Sequence, residues 1–132
     1  MKRLFALIVS AAVPFICQAA NWVQIGHSEN MTLLVDAESI GKADNYVKAW
    51  FIYDYKSMQA LGNGKKYQST LLMNYFSCKD KTMMTKQVVY YTGPAKSGDI
   101  AFSNSYPFLS SSMDDIVPDS VAEAGFEVVC KK

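Results

Sequence analysis

Arginine is nearly missing from this chain of 132 residues, and the single one, Arg3, stands at the extreme N-terminus. Without arginine, the bidentate forks that read phosphate or carboxylate groups cannot be built downstream. Imidazole is as scarce: His27 is the only histidine. With that one histidine, no C-x-x-C and only Cys78 and Cys130 beyond the N-terminal stretch, a zinc site lacks ligands, so no metal or cofactor is expected. Excess charge is lacking too, since 13 basic residues face 12 acidic ones. Nucleic-acid-binding domains usually carry a basic excess or stripe, so no nucleic-acid partner is expected. Neither is the chain depleted in apolar or aromatic residues, at 50% and 13%, as a disordered one would be. Its length suits one domain.

Only one stretch is continuously apolar, Leu4 to Ile16, after Met1-Lys2-Arg3 and before Cys17-Gln18-Ala19-Ala20. A positive start, a short apolar run and small residues at its end have the form of a secretory signal peptide. The run is shorter than the roughly 20 residues a membrane-spanning helix needs, and Pro14 would interrupt one. Residues 1–20 are therefore expected to be a signal peptide and 21–132 the mature domain. Export to the periplasm, the outer-membrane surface or the medium follows, with no transmembrane segment. Lipidation at Cys17 is not expected, because bulky Phe15 and Ile16 stand where small residues are needed. Removal of the leader leaves 11 lysines, no arginine and 12 acids.

Two cysteines then remain, Cys78 and Cys130, in a chain bound for an oxidising compartment. A structural disulfide between them is expected, worth about 4 kcal/mol by loop entropy.

The remaining chain reads mostly as β-structure. Strands are expected at Trp22–Gly26, Met31–Asp36, Tyr46–Tyr55, Tyr67–Cys78, Thr82–Tyr91 and Asp99–Ser103, from their β-branched and aromatic content and bounding turns. Ala37 to Asn45 reads as a turn with one helical turn near its start. Ser57 to Lys66, with Gly62-Asn63-Gly64, reads as a mobile loop. Near the C-terminus the period changes. Ser120-Val-Ala-Glu123 has the form of a capping box, and Val121, Ala124 and Val128 fall on one helical face. Gly125 weakens that helix by up to about 1 kcal/mol relative to alanine. Cys78, in register with Leu72 and Phe76, places the helix on their side of the sheet. Trp50, Phe51, Tyr53 and Tyr55 fall on both faces of their strand, one set for the core and the other a candidate binding surface.

No residue set points to catalysis. His27 has no partner nucleophile and reads as a turn residue. Gly62-Asn63-Gly64-Lys65 lacks the glycine and the hydroxyl of a phosphate loop, having Gln59 and Lys66 there. Asp114-Asp115 and Asp119 match no calcium loop and read as a solvated acidic turn; Ser110-Ser111-Ser112 is a polar connector. The chain is therefore expected not to be an enzyme. Lys65, Lys66 and Tyr67 form a candidate ligand-binding loop, two point charges beside an aromatic ring.

The order of Trp22-Val-Gln-Ile-Gly26, Leu34-Val-Asp36, Ser39-Ile40, the Trp50 strand, the strand ending in Cys78, and Ile116-Val-Pro118-Asp-Ser120 before Cys130 resembles the surface-adhesin protein E family. The resemblance spans essentially the whole mature chain. It implies an α+β, mainly β fold: a six-stranded antiparallel sheet with a C-terminal helix packed across it and tied by a disulfide. It further implies an exported bacterial binding module for a host matrix or plasma protein, acting as a homodimer. The alternative is a periplasmic structural or stress-related protein that binds another envelope component.

Overall fold

A computed structural model describes residues 20–131. The signal-peptide reading of residues 1–20, and Cys17 with it, lies almost wholly outside them. The described chain forms β1 (Trp22–His27), β2 (Met31–Asp36), β3 (Gly41–Ala43), β4 (Tyr46–Ala60), β5 (Lys66–Ser77), β6 (Thr82–Tyr91), β7 (Ile100–Ser105), β8 (Asp114–Asp115) and α1 (Val121–Cys130). The sheet has eight strands rather than the expected six, and every pairing in it is antiparallel. Six long strands run in the order β1-β2-β4-β5-β6-β7, and they are the six read from sequence. The other two are short additions, β3 on β4 and β8 on β6. Asp44, at φ 55°, turns the chain so that Gly41–Ala43 pairs with Tyr46–Lys48. Asp114-Asp115 is thus strand and not a free turn, held by Thr82 and Met83 and followed by an Ile116 N–H to Lys81 O bond of 3.2 Å.

Ser57 to Lys66 is also better ordered than expected. β4 continues to Ala60 after a register shift between Asp54 and Gln59, where Gln68 Nε2 donates to Tyr55 O at 3.2 Å. Only Leu61–Lys65 turns. The expected helical turn is present as a 3-10 turn over Ala37–Ser39, capped by Asp36 Oδ1, which accepts from Glu38 N–H at 3.1 Å.

Alternation along β2 buries Met31, Leu33 and Val35, and their row continues through Ala49 and Phe51 of β4 and Phe76 of β5. With Ile116 and Val129 these residues form the core beneath α1. The helix begins at Ser120, whose Oγ accepts from Glu123 N–H at 3.2 Å. The Glu123 carboxylate reaches back to Asp119 N–H at 2.6 Å and to Lys81 Nζ at 3.1 Å. The Asp119 amide first, and Lys81 second, hold that carboxyl below its ordinary range. Gly125 and Val129 form the buried line of α1, with Val121, Ala124 and Val128 partly buried beside it. A Cβ on Gly125 would lie 3.1 Å from Phe51 Cε1, so glycine here permits the helix to approach the sheet. The Cys78–Cys130 disulfide closes the far end, with Cα atoms 5.6 Å apart, inside the usual bridging range.

Among the described residues no α-helix packs on the opposite face of the sheet. The β6–β7 loop folds back over it, with Ala95 N–H donating to Asp54 Oδ1 (3.0 Å) and Lys96 N–H to Ser69 Oγ (2.9 Å). Ser69 Oγ donates in turn to Gly93 O at 2.7 Å, and Lys96 Nζ lies 4.8 Å from the Trp22 ring centre. Further along, Phe108 sits between Tyr46 and Tyr75, with ring centres 4.8 and 5.3 Å away. On this face Ile52 and Val89 are buried and Trp50 is half-buried. The second face of β4 is therefore covered and is not the open aromatic surface anticipated from alternation.

Candidate functional site

The candidate loop is a defined turn. Leu61 N–H donates to Lys65 O (2.8 Å), Gly64 N–H to Leu61 O (2.9 Å) and Lys65 N–H to Asn63 Oδ1 (3.0 Å). Gly64 at φ 84° supplies the left-handed conformation that side chains other than asparagine and glycine rarely adopt. The turn leaves Lys65 and Lys66 exposed, and neither belongs to the ion pairs found among the described residues, Lys81–Glu123 and Lys131–Glu127. Lys65 Nζ reaches across to the Ala101 carbonyl of β7 at 3.4 Å.

Tyr67 lies in a row of rings. Its ring centre is 5.9 Å from Tyr55 and 4.7 Å from Tyr90, and Tyr90 is 6.1 Å from Phe102. Edge-to-face and tilted pairs at such distances are favourable arrangements. Tyr53, Thr70, Tyr90 and Phe102 oppose one another in register, so the row lies on the same side of the sheet as α1. The helix packs chiefly on β1 and β4, which leaves the β6–β7 end of the row uncovered. Leu61, Gly62, Asn63 and Phe102 line a shallow hollow of about 210 Å³ there. The structure thus brings Lys65 and Tyr67 together with Tyr55, one of the β4 aromatics named from sequence, and with Tyr90 and Phe102, which sequence reasoning did not single out. Phe102 lay in the weakest expected strand, and its meeting with the loop is a long-range contact without local signal.

Burial, then the neighbouring phenol of Tyr55, pushes Tyr53 up to about 12, with the adjacent Asn74 opposing the shift. Burial and then neighbouring tyrosines raise Tyr55 and Tyr90 as well. Beneath them Thr85 Oγ1 donates to Asn74 Oδ1 at 2.8 Å.

The other singled-out residues stay apart from this row. His27 ends β1 beside the helix N-terminus, in a groove shared with Met31, Ser120 and Val121. Ser120 there is engaged as a helix cap, accepting from Glu123 N–H and donating to Val117 O at 2.6 Å. Ser110–Ser112 forms a 3-10 turn. Among the described residues no three histidine, cysteine or acidic side chains gather as metal ligands, and no helix is long and apolar enough to cross a membrane.

Among the described residues, a single antiparallel sheet and one α-helix stapled across it define a small disulfide-tied module. The chain belongs to the surface-adhesin protein E family, whose model matches residues 22–131. No curated protein sequence matches it significantly. Among solved structures it is similar to Haemophilus influenzae protein E in crystal form II, with a TM-score of 0.59 and 11% identity over 83% of this chain and 87% of that one. It is also similar to protein E of non-typeable Haemophilus influenzae, with a TM-score of 0.56 and 11% identity over 90% of this chain and 81% of that one. At such identity the likeness speaks for a shared fold.

Proposed function

We propose that the mature chain is an exported, non-enzymatic binding module that engages a host matrix or plasma protein through Lys65, Lys66 and Tyr67. One observation supports this reading: two exposed lysines, outside the ion pairs found among the described residues, stand beside a row of rings whose β6–β7 end α1 leaves uncovered. Ammonium groups steer an acidic partner as point charges, and tyrosine and phenylalanine supply contact area at small entropic cost. Membership of an adhesin family supports a binding role over a catalytic one.

The test is capture of immobilised matrix and plasma proteins by the wild type and by Lys65→Ala/Lys66→Ala. The double variant is expected to bind about tenfold more weakly at low salt. The difference should shrink at high salt, because exposed charges are screened over about 8 Å already at physiological ionic strength. Equal binding by both proteins removes the loop from the site. Display is tested separately, by protease treatment of intact cells and intact mass of the exported form. Digestion without permeabilisation and a mass starting at Asn21, unlipidated, are expected. A purely periplasmic protein that captures none of these partners is instead a component serving another envelope molecule.

A further inference from the structure

Among the described residues seven large apolar side chains stand exposed, and four of them follow one another along one border of the sheet. They are Ile100 (60% exposed) and Phe102 in β7, then Tyr106 and Leu109 (51%) in the segment after it. β7 is the outermost strand on that side, six residues without charge or proline. Natural edge strands are usually blunted by lysine, proline, bulges or a covering segment, because their free backbone groups invite another strand. Here the one irregularity is the register shift at Ala101, and from Phe102 to Ser105 the edge is regular. The opposite border is better guarded. Ile25 of β1 packs on the core, Lys96 caps Trp22, and only Val23 stands out.

Past Ser105 the chain leaves β6 after one bond, Tyr106 N–H to Lys86 O at 2.7 Å. A groove of about 500 Å³ opens there, lined by Met84, Thr85, Tyr106, Pro107, Leu109 and Asp114 among others. The border therefore offers a strand edge without a neighbouring strand, on which Asn104 Oδ1 accepts from Ser105 N–H at 2.9 Å, an apolar groove in line with it, and opposite charges at its ends. Lys65 Nζ sits at the start of β7, on Ala101 O, and the Asp114 carboxylate borders the groove.

We propose that this border docks an extended segment of a partner protein, added as a strand beside β7 with one apolar side chain in the groove. Backbone bonds along the edge would supply affinity, and alternate side chains the specificity. Charge complementarity sets the segment's polarity: an acidic residue faces Lys65 and a basic one faces Asp114. For an antiparallel addition the basic residue lies toward the segment's N-terminus. This deepens the binding-module reading and rests on it.

The probe is a synthetic peptide of about ten residues, alternating valine and threonine with one phenylalanine. It carries lysine at its amino end and aspartate at its carboxyl end; a second peptide has the two charges exchanged. With the intact disulfide-bonded protein, the first peptide should slow amide exchange across residues 100–105 and leave β1 unchanged. It should bind Ile100→Lys/Phe102→Lys at least about tenfold more weakly, and Leu109→Ser more weakly by a smaller factor. Both variants should still unfold in one cooperative transition, with Ile100→Lys/Phe102→Lys lowered only by the lost Tyr90–Phe102 ring pair. Absence of slowed exchange at residues 100–105, or equal binding of the peptide by Ile100→Lys/Phe102→Lys, overturns the proposal. Protection that grows with protein concentration in the absence of peptide overturns it in favour of a second copy on the edge. Capture of matrix or plasma proteins that depends on Lys65 and Lys66 but is indifferent to Ile100→Lys and to Leu109→Ser overturns the edge and leaves the module reading standing.

Discussion

Gly125 shows how a residue that weakens an element can be required by the packing of that element. In isolation, alanine would favour the helix by up to about 1 kcal/mol. In the fold, the added methyl would press 3.1 and 3.3 Å from Phe51 Cε1 and Cζ and 3.6 Å from Phe76 Cζ. Phe51 is 1% exposed and packs edge-on to Phe76 at 5.8 Å, so its ring can yield only by disturbing that pair. Overpacking of a tight core costs about 1–3 kcal/mol, which exceeds the helical gain. Gly125→Ala should therefore destabilise the protein by about 1 kcal/mol in urea unfolding; a more stable variant would show that the helix can lift. Tyr53 gives a second residue-scale expectation. Its phenol sits near 12 in the folded chain against an ordinary 10.0. Below pH 10 both states hold the proton and the stabilisation is complete. Between pH 10 and 12 the unfolded chain releases it first, so stability falls by on the order of 2 kcal/mol. Thermal midpoints should drop across that window and drop less steeply for Tyr53→Phe. Equal slopes would mean that other tyrosines carry the alkaline loss.

Elements with a repeating pattern of their own were legible in the sequence, and those defined by distant partners were not. β2 is readable because Met31, Leu33 and Val35 alternate with more exposed neighbours, and α1 because Ser120 and Glu123 announce its start. β3 and β8 are too short for any period, and exist because β4 and β6 offer them edges. The 92–99 loop and Phe108 carry no pattern that could reveal their fold over the second face. For the candidate site, the lysines and Tyr67 could be named from local composition, whereas Tyr90 and Phe102 reach them only through the register of four strands. The staple between α1 and β5 tests the ranking of these elements. Breaking it should loosen α1 before the sheet, since the helix contains Gly125 and gains most of its order from tertiary contact. Cys130→Ser is expected to lose up to about 4 kcal/mol. Amide exchange should accelerate over 121–130 first; acceleration beginning in β4 or β5 would contradict that order.

As a whole the molecule is a single sheet that must be covered twice, and its two covers differ in kind. On one side α1 supplies a conventional apolar stripe and a covalent tether. On the other, loops do the same work through a few polar clips, so stability there depends on hydrogen bonds, of which those at Ser69 are shielded from water. Ser69 is the centre of those clips. It is 0% exposed, donates to Gly93 O and accepts from Lys96 N–H, which keeps Ala95 on Asp54 and Lys96 over Trp22. Its alanine variant would leave a carbonyl and an amide unpaired under the loop, at about 1–3 kcal/mol for such a loss. Ser69→Ala should therefore lower stability by about 2 kcal/mol although it removes only one oxygen. The loss should be local in its first signs, with faster exchange at residues 93–99 and a more exposed Trp22 fluorescing differently, while residues 121–130 stay protected. Ser69→Thr, which keeps the hydroxyl but crowds a fully buried site, should recover part of the loop's protection and little of the stability. An alanine variant with wild-type stability and unchanged exchange at 93–99 would mean that apolar cover by Phe108 alone holds the second face.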